Sequence, residues 1–290
     1  MASKILVTGA SGVAGQATCA LLLEEGFEVR LADVSAPPAA FRGLDYQRCD
    51  TRTPEDCRRA VAGCDAVVHL AAWHCAHNPP VSDETIWAVN TGGTFNMLQA
   101  CREAKVKAFV YASSMAYGWW SIYGVTKVTG EDLCRCFHET TGAGVAMLRY
   151  HDFVPKPYLD FGSKLLRNGV DARDVAASNV AAVKTALDGR LGLFRSIVHT
   201  AHGMPPEVVG DFRELGPDWC EKQLPGAREL IRKYNLDLPE KVEQHDLSEA
   251  ANLLGWKPKI GFVEFLRDLQ QRDSSGEDVR ALHAPGQLPA

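Results

Sequence analysis

Tyr123 and Lys127 stand four residues apart, and Ser113-Ser114 ends nine residues before Tyr123. On a helix, positions i and i+4 share one face. A phenol, an ammonium and a hydroxyl gathered there can move a proton to or from an alcohol oxygen. Tyr is a poor base at its ordinary pKa of ~10. An ammonium one helical turn away and the positive charge of an oxidised nicotinamide both favour the phenolate and lower that value. Tyr123 is therefore expected to act as acid/base. Lys127 is expected to lower its pKa and hold the nicotinamide ribose, and Ser114 to orient the substrate oxygen. Ser113 rivals Ser114, because register at a strand end is open from sequence. Nine residues reach up to ~30 Å, so a short loop can bring Tyr123 back to the serine pair.

The opposite end of that chemistry lies in Thr8-Gly9-Ala10-Ser11-Gly12-Val13-Ala14-Gly15. Glycines between a strand and a helix let backbone N–H groups approach a pyrophosphate, with the helix N-terminus adding positive charge. Asp33 follows Gly9 by 24 residues, at the end of the second predicted strand. It can accept the ribose hydroxyls and would repel a 2′-phosphate, which favours NAD over NADP. Arg30 and Arg42 lie close enough to complicate that preference. Gly9, Ser11, Gly12, Val13, Gly15 and Asp33 are the expected cofactor set. Asp50 is suited either to the adenine amino group or to capping a helix. Leu70, Ala71 and Ala72 end the third predicted strand beside the cofactor. Asn90 and the glycines after it lower helix propensity, which suggests close packing or a cofactor contact. His74, Cys75 and His77 come next to this strand, but no further ligand can be placed with them, so no metal is expected.

Positioning these groups requires a layered fold. Apolar runs at residues 4–8, 27–33, 65–70, 108–113 and 145–149 alternate with helical stretches at 15–25, 84–104 and 121–140. Continuous apolar strands separated by helices predict a parallel sheet covered on both faces, a doubly wound α/β fold of Rossmann type. A further helix at 171–187 and a sixth strand at 194–200 follow an irregular Pro- and Gly-rich segment at 151–169. Residues 1–150 are expected to form the dinucleotide-binding domain, residues 151–270 a small substrate-binding region partly interleaved with the sheet, and residues 271–290 a tail.

The 290 residues are 46% hydrophobic and 23% charged, and are expected to bury roughly three quarters of their unfolded surface. A net charge of −5 gives no reason to expect nucleic acid or an anionic membrane as partner. No apolar run approaches the ~20 residues of a membrane span. Nine scattered cysteines without a C-x-x-C pair are expected to be reduced thiols of a cytoplasmic protein.

Together the motifs resemble the extended short-chain dehydrogenase/reductase superfamily, in its NAD-dependent epimerase/dehydratase branch. T-G-x-x-G-x-x-G, Asp33, His69-Leu70-Ala71-Ala72, Val89-Asn90-x-x-Gly93-Thr94, the serine pair and Y-x-x-x-K occur in the family's order. Leu148-Arg149-Tyr150, Val170 to Ala176 and Leu253-Leu254-Gly255-Trp256-Lys257-Pro258 are similar to its later signatures. The resemblance implies a homodimer, paired through the helices at 84–104 and 121–140. It also implies a substrate side lined by Trp73, His74, Ser114, Met115 and Asp152.

Three departures bear on substrate. Nucleotide-sugar epimerases usually carry about two dozen residues from serine to tyrosine, and this chain has nine. They usually have an asparagine shortly after L-R-Y, where this chain has Asp152, whose charge would repel a diphosphate. They usually spend about sixty residues where Arg149 to Arg173 spans 24. A small pocket is implied, similar to the compact region of uronate dehydrogenases. Net oxidation or reduction of a small sugar-like alcohol or ketone is thus the first expectation. A UDP-sugar 4-epimerase with tightly held NAD is the second. A cofactor-bound sensor is the third, disfavoured because a sensor needs no acid/base.

Overall fold

In the computed structural model, residues 2–75 and 79–283 are described. Seven parallel strands form one sheet: β1 (Lys4–Thr8), β2 (Glu28–Asp33), β3 (Asp45–Arg48), β4 (Ala66–His69), β5 (Ala108–Ser114), β6 (Gly144–Tyr150) and β7 (Leu193–Val198). Their order is β3-β2-β1-β4-β5-β6-β7. The order reverses between β1 and β4, and in open α/β sheets ligands bind at the carboxyl ends of the strands beside such a reversal.

The central strands are apolar throughout because both faces are covered. α1 (Val13–Glu24) packs on one face with a later helix, α7 (Ala172–Leu187), burying Val7, Leu22, Leu148, Val175 and Val183. The other face carries α2 (Pro54–Val61), α3 (Asp83–Trp87), a π-helical segment (Ala88–Gly93), α4 (Thr94–Ala104) and α5 (Ile122–Thr141). Leu6, Cys57, Met97, Phe109 and Phe137 form the core beneath them. The nine cysteines are all unpaired thiols, seven of them buried.

The sheet has one more strand than the sequence predicts. Asp45–Arg48 is a polar edge strand, part-exposed along its length, so it lacks the apolar run that marks its neighbours. The stretch at 84–104 is not one regular helix. It widens into the π-helical turn at the Asn90-Thr91-Gly92-Gly93 interruption, where Gly93 lies against Thr51. The segment at 151–169 is not wholly irregular either, because α6 (Tyr158–Leu165) forms within it.

After α6 come α7 (Ala172–Leu187), α8 (Pro206–Gly210), α9 (Phe212–Gln223), α10 (Ala227–Tyr234), α11 (Ser248–Leu254) and α12 (Phe262–Ser274). Tyr158, Phe161, Phe212, Phe262 and Leu266 give this part its own core. Asp174 on α7 docks it onto the sheet. Its carboxylate accepts the Lys259 and Ile260 N–H groups, both at 2.9 Å, and its carbonyl accepts the Trp256 indole N–H. The later signatures noted above thus form a seam between α7 and the C-terminal segment. The expected tail is tied down as far as residue 283. Val279 inserts into the C-terminal core, and Leu282 accepts the Tyr158 N–H.

Candidate active site

β5 delivers both serines, and strand alternation sends them to opposite faces. Ser113 points into the protein and donates to Glu131 Oε1 at 2.6 Å. Glu131 also takes a two-pronged bond from Arg149, at 2.7 Å on each oxygen. Burial alone would raise the Glu131 carboxyl, but Arg149, Ser113 and Arg195 hold it below its ordinary value. Ser114 faces the other way. Its Oγ accepts the Ala116 N–H and hydrogen-bonds to Tyr123. Ser113 is thus engaged with Glu131, whereas Ser114 is the serine beside Tyr123.

Tyr123 sits in the first turn of α5, which Ser121 caps by accepting the Gly124 N–H. Its ring is buried among Trp73, Ile86, Ala116 and Ile122, with the His74 ring 4.6 Å away. Lys127, one turn on, is also buried, and its Nζ donates to the Ala112 carbonyl at 2.7 Å. That Nζ lies 5.5 Å from the centroid of the Tyr123 ring. Burial pushes the Tyr123 phenol up to about 12, with the Ser114 bond opposing, and pushes the Lys127 ammonium down to about 8. The protein's own groups therefore keep Tyr123 protonated near neutrality. The lowering expected from Lys127 together with an oxidised nicotinamide is thus not supplied by the protein's own groups, because burial dominates.

The glycine turn lies at the reversal of strand order. Gly9 adopts φ +66°, and a Cβ there would meet the Ala71 nitrogen at 2.8 Å. A Cβ on Gly15 would come 2.1 Å from the Gly9 carbonyl oxygen, but one on Gly12 only 3.3 Å. Gly15→Ala is accordingly expected to cost about 1–3 kcal/mol of overpacking. Its melting temperature should fall by several degrees and that of Gly12→Ala by much less; equal values would show that the turn relaxes freely. Helix α1 begins at Val13 with no acidic side chain in its first turn, so its N-terminus keeps its positive end. Asp33 accepts the Ser11 and Ser35 N–H groups, both at 3.0 Å, which places its carboxylate beside the turn. A close backbone cradle, a bare helix N-terminus and an acid at the end of β2 fit a dinucleotide. Arg30 turns away to Asp45 and the Ala60 and Ala62 carbonyls.

Thr8 Oγ1 accepts the Leu70 and Ala71 N–H groups and contacts His69 Nδ1 at 2.8 Å, so the strand ends near Ala72 are fastened to β1. Asn90 is closely packed, one of the two expected alternatives. Its amide accepts the Trp73 N–H and donates to the Trp73 carbonyl and Thr126 Oγ1, so it positions the loop. Asp50 is engaged by Arg52, whose guanidinium holds its carboxyl below the ordinary value, and the cap of α2 is Thr53. Met115 opens the 3-10 turn after Ser114. Trp119 and Trp120, between Ser114 and Tyr123, are 53% and 101% exposed. Asp152 is not an isolated charge, because Lys156 Nζ lies 3.2 Å from it. Its expected repulsion of a diphosphate is weakened accordingly. Of the trio after β4, His77 lies outside the described residues. No described helix is long and apolar enough to cross a membrane.

Sequence reasoning also missed a cluster of His151, His199, Glu243 and His245 beyond the ends of β6 and β7. Only folding brings these distant positions together, and no spacing motif announces them.

An uncharacterized UDP-glucose epimerase of Bacillus subtilis is 31% identical over 182 residues, covering 51% of this chain and 55% of that protein. A uronate dehydrogenase of Pseudomonas putida is 27% identical over 172 residues, covering 53% of this chain and 63% of that one. The chain thus spans little more than half the length of these curated relatives. The crystal structure of a short-chain dehydrogenase/reductase superfamily protein from Agrobacterium tumefaciens with bound NAD shares the fold. Its TM-score is 0.70 at 19% identity, over 94% of this chain and 99% of that one. Residues 5–169, more than half of the chain, match the NAD dependent epimerase/dehydratase family, and the chain belongs to that family, whose cofactor is NAD.

Proposed function

We propose that this protein is a net NAD-dependent oxidoreductase acting on a secondary alcohol or ketone of a small sugar-like substrate. The observation that carries the reading is the convergence of Ser114, Tyr123 and Lys127 beside the Trp73–His74 loop. NAD, when bound, supplies the acceptor for the two electrons and hydrogen that leave the carbinol carbon. In oxidation, Tyr123 Oη takes the hydroxyl proton, and in reduction it returns one to the carbonyl oxygen. Ser114 Oγ holds that oxygen against Tyr123. Lys127 contributes a positive charge behind the ring, which the charge of oxidised NAD would reinforce, and is placed to hold the nicotinamide ribose.

Gly9, Ser11, Gly12, Val13 and Gly15 would hold the pyrophosphate and Asp33 the ribose. Asp50 would face the adenine, with Leu70, Ala71 and Ala72 alongside. Trp73, His74, Met115 and Asp152 would line the substrate side. Asn90 acts as a positioning residue for that loop. Residues 1–150 would be the cofactor domain and 151–270 the substrate-binding region. Small substrate size is supported by the short path from Arg149 to Arg173, whose α6 packs into the C-terminal core. Exposed Trp87, Phe95, Val125 and Val128 on α3, α4 and α5 support a homodimer through those helices, and the unpaired thiols support a cytoplasmic protein.

The Asp152–Lys156 pair favours a second reading, a UDP-sugar 4-epimerase, because a neutralised Asp152 does not oppose a diphosphate. A panel of polyols, aldoses and uronates with added NAD, followed by NADH absorbance, separates the two. Steady NADH formation with a free sugar or sugar acid is the expected result. No turnover on the panel, together with co-purified NAD and thermal stabilisation by a UDP-sugar, would replace the first reading with the second.

A further inference from the structure

His151 follows β6, His199 follows β7, and Glu243 and His245 lie in the irregular stretch between α10 and α11. The His151 and His199 ring centroids are 4.2 Å apart, and the His245 ring lies 4.8 Å from the first and 5.0 Å from the second. His245 Nε2 is 2.9 Å from Glu243 Oε1. One donor atom from each of the four residues lies within 4.8 Å of all the others.

Both deep histidines present an unused nitrogen. His151 Nε2 and His199 Nδ1 are buried and have no hydrogen-bond partner. Leaving a buried polar atom unsatisfied is costly, so two such atoms in one cluster need a physical reason. The far side of each ring suggests one. His199 Nε2 lies 2.7 Å from the Arg167 carbonyl and must carry the proton it donates there, which leaves Nδ1 as a lone pair. His151 likewise bonds to the Asn168 backbone. A backbone carbonyl that fixes the tautomer and aims the other nitrogen inward is the usual outer support of a metal-bound histidine.

We propose that His151, His199, Glu243 and His245 form a structural site for one divalent transition-metal ion of the zinc type. Three imidazole nitrogens and one carboxylate oxygen are a donor set that Zn²⁺ accepts in tetrahedral geometry, at about 2.0–2.2 Å. Four donors at that distance sit about 3.3 Å apart, so the widest pair, within 4.8 Å now, must close by up to about 1.5 Å. Glu243 and His245 are part-exposed and free to rotate inward, whereas His151 and His199 are set in the protein. Hard, oxygen-seeking Mg²⁺ and Ca²⁺ do not match three imidazoles. The ion would fasten residues 243–245 to the carboxyl ends of β6 and β7, a fixed flank for the region beside Asp152.

The test uses the full chain carrying Cys75→Ser and Cys136→Ser, so that the two exposed thiols cannot bind the probe. Chelator-stripped protein is titrated with zinc chloride against a chromophoric competitor, and its melting temperature is followed. One zinc per chain is expected, with a rise of roughly 5 °C at a hundredfold excess over Kd. His245→Ala should weaken binding at least about a hundredfold and Glu243→Gln at least about tenfold, with metal-free melting temperatures close to the parent. Cobalt(II) should give the visible bands of a four-coordinate site without thiolate charge transfer. Less than about 0.2 zinc per chain, unchanged affinity in His245→Ala, or a thiolate band would each overturn the proposal.

Discussion

Tyr123→Phe is expected to lower kcat by about 10²–10⁴-fold, the range that a positioned acid/base contributes. Fold and NAD affinity should change little. The substitution deletes only Oη, and the ring remains packed against Trp73, Ile86 and Ala116. A pH profile makes the result specific. Burial holds the phenol at about 12, so the base form grows with pH across the accessible range. The rate of alcohol oxidation should therefore rise with pH in the wild type, with a bend below 12 once the positive cofactor is bound. The rising limb should vanish in Tyr123→Phe. Ketone reduction needs the protonated phenol and should stay flat until that form is lost. A Tyr123→Phe enzyme retaining more than a tenth of wild-type kcat would show that another group moves the proton.

Glu131→Ala should be strongly destabilising, by up to about 3–5 kcal/mol, because it leaves the part-buried Arg149 cation without its carboxylate partner. Arg149 would keep only the face of the Tyr117 ring, 3.7 Å from its guanidinium carbon. Ser113 would lose its acceptor as well. The loss should appear as a lower denaturant midpoint at unchanged slope. A loss under about 1 kcal/mol would mean that the ion pair adds little. The folded carboxyl titrates below the unfolded value of 4.5, so Glu131's contribution is full above pH 4.5 and fades as pH falls through the lower folded value. The variant should consequently lose less stability than the wild type on acidification.

The sheet centre was readable because burial on both faces demands unbroken apolar runs, as in Ala108–Ser114 and Gly144–Tyr150. Polar edge strand Asp45–Arg48 has no such demand and left no run to find. Helix α2 did leave a signal, Thr53-Pro54-Glu55-Asp56, with Pro and two acids in its first turn. Asn90 was legible as an anomaly, since glycine and polar residues interrupt a helix there. Its partners Trp73 and Thr126 belong to tertiary structure. The order of the serine pair was open in sequence because strand register decides it, and the buried Glu131 claims Ser113. Least legible were His151, His199, Glu243 and His245, which share a location only after the C-terminal segment docks.

The π-helical segment Ala88–Gly93 has a consequence for how the parts of the site move together. Successive α-helical residues turn by about 100°, so ironing out that wide turn would swing Asn90 away from its neighbours. Its amide is the clasp joining the Trp73 backbone to Thr126. With the clasp engaged, three hydrogen bonds of Asn90 tie the loop carrying His74 to the helix carrying Tyr123 and Lys127. Losing them would uncouple that loop from the residue proposed to carry the proton.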